Sequence, residues 1–126
     1  MVMPRSETRY SAVSGSWASA MELVLQQLAK VLEDRKRADP QSSYVAGLYG
    51  RGQEAILRKV MEEATEVLLA GQGSDDAAVI RETADLWFHT LVLLAHRGLG
   101  PDQVLAELER RFGRSGLEEK AGRSKS

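Results

Sequence analysis

Residues 53–70 read QEAILRKVMEEATEVLLA, and residues 75–97 read DDAAVIRETADLWFHTLVLLAHR. In both stretches apolar residues recur three and four positions apart, which is the spacing of an amphipathic helix. The inner face of the first helix is predicted to consist of Ile56, Leu57, Val60, Met61, Ala64, Val67 and Leu68. Gly71-Gln72-Gly73 ends this helix, and Ser74 is a suitable N-cap for the next one. The sequence therefore predicts two long helices that follow each other closely and pack together.

Each of these helices carries two carboxylates three residues apart. They are Glu63 and Glu66 in the first helix, and Glu82 and Asp85 in the second. This spacing places both side chains of a pair on one helix face, about 5–6 Å apart at Cβ. Four carboxylates that converge from two packed helices repel one another unless a cation neutralises them, and oxygen-only ligands suit a hard ion such as Mg²⁺. The pattern predicts a helical Mg²⁺ site that handles a polyphosphate.

Two other interpretations of the acidic residues stay open. They can be solvated surface residues, but Glu82 and Asp85 lie close to a wholly apolar segment, where an unpaired charge is costly to bury. A di-iron carboxylate bundle needs Glu-x-x-His on two helices, whereas this chain has Glu-x-x-Asp followed by His89. We expect His89 to be a packing residue or a neighbour of Asp85, and His96 to interact with the helix C-terminus.

The rest of the chain is predicted to be helical or irregular. A first helix spans about residues 20–37 and stops at Asp39-Pro40, because the residue before proline avoids the helical conformation. A short helix follows at about residues 44–49, and a last helix restarts at Gly100-Pro101. The fold class is all-α, a bundle of four to five helices over residues 20–112. Residues 1–19 are predicted to be a mobile arm, and residues 113–126 a mobile basic tail.

The helix over residues 75–97 is apolar on nearly every side between Ala84 and Ala95. Its apolar side chains include Trp87, Phe88, Leu91, Val92 and Leu94, which together cover the whole circumference of a helix. Such a helix requires burial on all sides, and a chain of 126 residues has too few other helices to surround it. The sequence predicts a homodimer, or a higher oligomer, with this helix at its centre.

Composition limits the classes of function. The 28% of charged and 43% of hydrophobic residues are ordinary for one globular domain. A net charge of −1 argues against a nucleic-acid or anionic-membrane partner, since no excess of cations is present. The lack of cysteine excludes disulfides and thiolate metal sites. Neither a leader sequence nor a membrane span is evident, so we expect a soluble, intracellular protein.

Several residues are candidates for binding phosphate. Lys59 is four residues before Glu63, so it either forms a surface ion pair with that carboxylate or holds a phosphate oxygen. Arg35 and Lys36 are further candidate phosphate ligands, and the loop residues Ser42, Ser43 and Tyr44 are candidates for contacts with phosphate or ribose. No Walker loop and no Gly-x-Gly-x-x-Gly motif is present, so P-loop and dinucleotide-binding chemistries lack their phosphate cradle.

Four passages, within about residues 23–123, resemble the motifs of a known protein family. They are Arg35-Lys36 with Asp39-Pro40-x-Ser42-Ser43-Tyr44; Lys59 to Glu66; Glu82-x-x-Asp85-Leu86-x-x-His89; and Arg114-Ser115-Gly116-Leu117-Glu118-Glu119-Lys120. In these the chain resembles the phosphoribosyl-ATP pyrophosphohydrolase family, part of the all-α nucleotide pyrophosphohydrolase (MazG-type) superfamily. The acidic pairs are typical of the superfamily, whereas the first and last passages are more specific to this enzyme. Met61 departs from the family, where that position is often small.

The resemblance implies a cytoplasmic enzyme of histidine biosynthesis. Its expected reaction is the Mg²⁺-dependent hydrolysis of 1-(5-phosphoribosyl)-ATP, an ATP-derived nucleotide, to 1-(5-phosphoribosyl)-AMP and pyrophosphate, which is the second step of that pathway. The zinc-binding cysteines of the following cyclohydrolase step are absent, so this chain is expected to perform the hydrolysis alone. Two alternatives stay open: a house-cleaning pyrophosphohydrolase that acts on non-standard nucleoside triphosphates, and a non-enzymatic helical dimer that acts as a binding module.

The expected roles of the residues follow from the motifs and the resemblance together. The metal ligands are Glu63, Glu66, Glu82 and Asp85. Glu62 or Glu63 orients or deprotonates the attacking water, and Lys59 assists as a catalytic or phosphate-binding residue. The substrate-binding candidates are Arg35, Lys36, Ser42, Ser43, Tyr44, Lys59, His89, Arg114 and Lys120.

Overall fold

The computed structural model describes residues 15–112, and it contains five α-helices and one short 3₁₀ helix in this range. The helices are α1 (Gly15–Asp34), α2 (Tyr44–Arg51), α3 (Gln53–Gly71), α4 (Asp76–His96) and α5 (Pro101–Arg111), and the 3₁₀ helix is Arg35–Arg37. The described range has no strand, so the predicted all-α class is confirmed. None of its helices is long and apolar enough to cross a membrane.

The helix boundaries differ from the predicted ones mainly near the N-terminus. Helix α1 begins at Gly15 rather than near Ala20, so residues 15–19 belong to a helix and not to an irregular arm. It ends at Asp34, and the next three residues tighten into the 3₁₀ helix before the extended Ala38. Residues 1–14 and 113–126 lie outside the described residues, and with them the remainder of the predicted arm, the basic tail, Arg114 and Lys120.

Polar caps fix the starts of α2 and α4. The Ser43 hydroxyl accepts a hydrogen bond from the Ala46 amide at 3.2 Å, which satisfies one of the free N–H groups at the start of α2. The predicted cap of α4 was wrong, because Asp75 and not Ser74 holds that position. Its carboxylate accepts from the amides of Ala77 and Ala78 at 3.0 and 3.4 Å. An anion at this end also complements the helix dipole, an interaction that serine lacks.

A single residue, Gly52, joins α2 to α3. Its amide donates to the carbonyls of Leu48 and Tyr49, and its own carbonyl accepts from Ala55 and Ile56. The φ and ψ angles of Gly52 are 94° and 177°, a conformation that is essentially restricted to glycine. One residue therefore ends one helix and begins the next. Gly98, at φ 74°, follows the last turn of α4, and a glycine in this left-handed conformation commonly ends a helix.

The described residues form two compact units, residues 27–100 and residues 15–26 with 101–112. In the first unit α3 and α4 pack against each other, while α2 contacts α3 and the 3₁₀ helix. The buried core of this unit consists of Leu32, Val45, Leu48, Ile56, Val92 and Ala95. In the second unit, Arg110 and Arg111 on α5 hold the pKa of the exposed Glu107 carboxyl at about 2, well below its usual range.

Tyr49 links α2 to two other elements of the first unit. Its hydroxyl donates to the Leu32 carbonyl at 2.9 Å, near the end of α1. Its ring stacks on His96 in the last turn of α4, with centroids 6.0 Å apart and planes 14° from parallel. Burial, with a smaller contribution from Glu33, raises the pKa of Tyr49. The short helix α2 is thus fixed in place by packing and by one directed hydrogen bond.

The core makes a direct prediction about stability. Ile56 is fully buried where α3 meets the rest of the unit, so Ile56→Ala should lower the free energy of unfolding by about 2–5 kcal/mol, through lost burial and the cavity left behind. Urea denaturation followed by circular dichroism measures this value. The exposed Arg58 on the same helix provides the control, and Arg58→Ala should change stability by less than about 0.5 kcal/mol. Equal effects of the two changes would contradict the described core.

Candidate functional site

The packing of α3 on α4 brings three carboxylates together. Each of Glu63, Glu82 and Asp85 offers an oxygen atom within 4.8 Å of an oxygen of the other two. The Glu63 side chain is largely buried, with 12% of its surface exposed, whereas Asp85 is open to solvent. The group therefore has a sheltered end and an accessible one. We call these three residues the carboxylate cluster.

Glu66, the fourth predicted ligand, does not lie in the carboxylate cluster. It is exposed, and it is not among the carboxylates whose oxygens lie within 4.8 Å of one another. It lies three positions after Glu63, which displaces it by about 4.5 Å along the helix axis. The structure thus brings together three of the four residues that the sequence pattern grouped, and the metal-binding role of all four stays a prediction.

Lys59 lies beside the carboxylate cluster, on α3. Its Nζ is 3.2 Å from Glu62 Oε2 and 3.4 Å from Glu63 Oε1. The hydrogen bond that Lys59 donates to Glu62 is the main cause that raises the pKa of Lys59, and partial burial opposes it. The ammonium therefore stays protonated at neutral pH, and it forms the ion pair with Glu63 that the i, i+4 spacing suggested. Lys59 thus contacts one member of the carboxylate cluster, Glu63, together with Glu62 outside it.

His89 is buried, with 6% of its surface exposed, and both of its ring nitrogens are engaged. Nδ1 lies 2.8 Å from the backbone carbonyl of Asp85, and Nε2 lies 2.8 Å from the Tyr44 hydroxyl. Because a carbonyl only accepts, Nδ1 carries a proton, and in the neutral ring Nε2 accepts from Tyr44. Both ring nitrogens of His89 thus have partners within the chain, and its substrate-binding role stays a prediction. The alternative position beside Asp85 agrees with the structure.

The loop before α2 forms one wall of an open cleft. Its turn is fixed by Asp39, whose carboxylate accepts from the Gln41 amide at 3.0 Å and whose carbonyl accepts from the amides of Ser42 and Ser43. The cleft has a volume of about 450 Å³, and it is lined by Pro40, Gln41, Ser42, Ser43, Tyr44, Gly47 and Arg51. Three predicted substrate-binding residues, Ser42 to Tyr44, thus line one concave surface. We call it the α2 cleft.

Sequence reasoning missed Arg51, which lies in the last turn of α2 and lines this cleft. A usable signal was its spacing, because positions 44, 47 and 51 share one face of a helix. The candidates Arg35 and Lys36 lie on the 3₁₀ helix and are not among the residues that line the cleft. Lys36 instead forms an ion pair with Glu33 at 3.0 Å.

Comparisons with known proteins agree with the resemblance seen in the motifs. Residues 25–112 match the family model described as phosphoribosyl-ATP pyrophosphohydrolase. A phosphoribosyl-ATP pyrophosphatase of Methylococcus capsulatus is 56% identical over 100 residues, which cover 79% of this chain and 95% of the relative. The protein of that name from Chromobacterium violaceum is also 56% identical over 100 residues, covering 79% and 93%. A third, from Methylibium petroleiphilum, is 58% identical over 95 residues, covering 75% and 79%. The chain belongs to the phosphoribosyl-ATP pyrophosphohydrolase family.

Proposed function

We propose that this chain is a phosphoribosyl-ATP pyrophosphohydrolase of the cytoplasm. Water cleaves the α–β phosphoanhydride of 1-(5-phosphoribosyl)-ATP, which gives 1-(5-phosphoribosyl)-AMP and pyrophosphate in the second step of histidine biosynthesis. Membership of the family, and the name that its relatives share, support this reaction. The structural observation that carries it is the carboxylate cluster of α3 and α4, connected through His89 to the residues of the α2 cleft.

The donor set of the carboxylate cluster fits Mg²⁺. Carboxylate oxygens within 4.8 Å of one another repel when ionised, and the ion pair of Lys59 with Glu63 offsets only part of that repulsion. Hard oxygen ligands favour Mg²⁺, which usually binds to a few protein carboxylates and fills its remaining positions with water and substrate phosphates. When bound, Mg²⁺ neutralises charge on the triphosphate and on the departing pyrophosphate. Glu63, Glu82 and Asp85 would hold it.

The neighbouring residues of α3 have separate tasks in this proposal. Glu63 is largely buried and belongs to the carboxylate cluster, so it is a poor choice for a residue that exchanges protons with solvent. Glu62 is 58% exposed at its side chain and uses Oε2 to bind Lys59, which leaves Oε1 to accept a proton from the attacking water. Lys59 holds Glu62 in position and brings a positive charge next to the phosphates.

We also propose that the active protein is a homodimer. Large apolar side chains remain exposed on both long helices: Met61 65%, Leu68 61%, Leu69 56%, Ile80 69% and Trp87 57%. Val92 is fully buried within the chain, and Phe88 and Leu91 pack on the same core. The unpaired surface of α4 is therefore narrower than its sequence suggested. Burying one such side chain contributes about 1.5–3 kcal/mol, and monomers rarely expose so many together.

The substrate prediction is tested by following pyrophosphate release with Mg²⁺ present. Phosphoribosyl-ATP should be hydrolysed, whereas ATP and dCTP should give little product under the same conditions. A preference for a standard or damaged nucleoside triphosphate would support the house-cleaning alternative. No turnover of any nucleotide would support the non-enzymatic binding module.

The metal prediction is tested by thermal unfolding with and without Mg²⁺. A ligand that binds only the folded state stabilises it by about 2.7 kcal/mol at a hundred times its Kd, so Mg²⁺ should raise the Tm of the wild type. Asp85→Asn should lose both this stabilisation and turnover. Glu66→Gln should lose them only if Glu66 is a ligand in the working enzyme. Glu54→Gln, an exposed change on the same helix, is the control, and Asp85→Asn with normal Mg²⁺ response would refute the site.

The dimer prediction is tested by light scattering at micromolar concentration. The wild type should have twice the mass of one chain. Trp87→Arg should produce monomer or aggregate and lower Tm and activity together, because it places a charge on an apolar surface. Gln72→Arg, on the exposed connection between α3 and α4, should leave mass and activity unchanged. An active wild-type monomer would show that the exposed apolar residues have another role.

A further inference from the structure

The α2 cleft follows one face of its helix. Tyr44, Gly47 and Arg51 line it at intervals of three and four residues, and the loop from Pro40 to Ser43 lines it opposite them. Tyr44 and Arg51 are seven residues apart, so they lie about 10 Å apart along the helix axis. The volume of about 450 Å³ is in the range of small-molecule sites. The cleft is longer than a single phosphate requires.

Arg51 is an uncommitted cation at one end of this cleft. Its side chain makes no hydrogen bond or ion pair with any residue in the described range 15–112. In contrast, Lys36 and Lys59 are paired with glutamates, and Arg37 is paired with Asp34. A guanidinium presents several N–H donors in a planar fork that matches phosphate oxygens. The Arg51 guanidinium and the Ser42 hydroxyl line the same cleft, and both groups can donate to the oxygens of a phosphate monoester.

Gly47 keeps the floor of the cleft open. Glycine inside a helix costs roughly 0.5–1 kcal/mol relative to alanine, and Gly47 is not one of the described glycines with positive φ. A Cβ at this position would meet only the Pro40 carbonyl, at an acceptable 3.4 Å. Neither backbone conformation nor crowding therefore explains the glycine. The absent side chain instead leaves space between the helix and the loop.

Tyr44 belongs both to the cleft and to the surroundings of the carboxylate cluster. Its side chain lines the cleft, and its hydroxyl hydrogen-bonds to His89, which in turn bonds to the backbone of Asp85. A ligand that reaches the carboxylates with one phosphate group can therefore place a second group along α2. Phosphoribosyl-ATP has such a second group, because its phosphoribosyl unit carries a phosphate that ATP lacks.

We propose that the α2 cleft binds the ribose 5-phosphate unit of the substrate, with Arg51 as the residue that selects phosphoribosyl-ATP over ATP. This inference rests on the proposed function and extends it to a specificity site. The phosphate lies at the Arg51 end of the cleft, and the ribose lies over Gly47. Arg51 has no part in the bond cleavage, so it acts on substrate binding and not on the chemical step.

Steady-state kinetics of Arg51→Gln test the proposal. The KM for phosphoribosyl-ATP should rise about tenfold or more, as expected for the loss of a charge-assisted contact, while kcat stays within about twofold. Any slow hydrolysis of ATP should be unchanged, so selectivity falls. Ribose 5-phosphate should inhibit the wild type competitively and Arg51→Gln much less. Arg58→Gln, an exposed arginine on α3, should behave as wild type in every assay.

A second pair of variants tests the floor of the cleft without changing charge. Gly47→Met should raise the KM for phosphoribosyl-ATP, since its side chain fills the ribose position. Gly50→Met is the matched control in the same helix, because a Cβ there meets nothing within 4 Å and Gly50 is not among the residues that line the cleft. Circular dichroism and Tm establish that both variants fold. Equal effects of the two would attribute the loss to the helix and overturn the ribose position.

The outcomes separate this proposal from the function on which it rests. If the wild type hydrolyses phosphoribosyl-ATP and Arg51→Gln has normal KM and normal inhibition by ribose 5-phosphate, the specificity site is refuted and the enzyme activity stands. If the wild type does not hydrolyse phosphoribosyl-ATP, both proposals are refuted.

Discussion

Helix packing brings together carboxylates that repel one another, and the rest of this molecule depends on that constraint. The contact between α3 and α4 places the oxygens of Glu63, Glu82 and Asp85 within 4.8 Å of one another. Three anions at such distances oppose the packing that brings them together. The buried side chains of Ile56 and Val92, on the same two helices, provide the opposing attraction. The apolar core and the acidic site are thus two parts of one balance of forces.

The hydrogen bonds of His89 extend this arrangement to the short helix α2. A buried polar ring is costly unless its donors and acceptors are satisfied, and here the partners are a carbonyl of α4 and the hydroxyl of Tyr44. Those two bonds fix the ring and give Tyr44 a defined orientation at the edge of the α2 cleft. A second aromatic contact, Tyr49 on His96, holds the other end of α2 against α4. Helix α2 is therefore fixed against α4 at two points.

Much of the fold and part of the site could be predicted from local sequence. Helical periodicity identified the bounds of α3 and α4 nearly to the residue, because the apolar stripes end where the terminating glycines begin. The i, i+3 rule placed Glu82 and Asp85 on one face. It could not show that Glu66 would lie outside the carboxylate cluster, because that depends on how far one helix is shifted along the other. Asp75 was overlooked as the N-cap of α4 because serine and aspartate are both preferred at that position, and Ser74 precedes it.

Tertiary contacts explain the other differences. The burial of His89 and its bond to Tyr44 join residues 45 positions apart, a separation at which sequence spacing carries no geometric information. Arg51 was missed for a similar reason, since the cleft exists only because the loop at Pro40 folds back over α2. Trp87 is exposed and Val92 is buried, and this contrast shows which side of the apolar helix the chain covers by itself. The buried and exposed sides cannot be told apart from the sequence of a helix that is apolar all round.

The one-residue junction at Gly52 has a consequence for how such a protein can evolve. The carboxylate cluster lies on α3 and α4, whereas the cleft residues belong to α2 and the loop before it. On the functions proposed above, changes in the cleft residues would alter ligand choice without disturbing the carboxylates. Gly52 limits that freedom, since any side chain at φ 94° is strained and would move two helix ends together. Substitutions that adapt the protein to new nucleotides are thus more readily accepted among the residues that line the cleft than at Gly52.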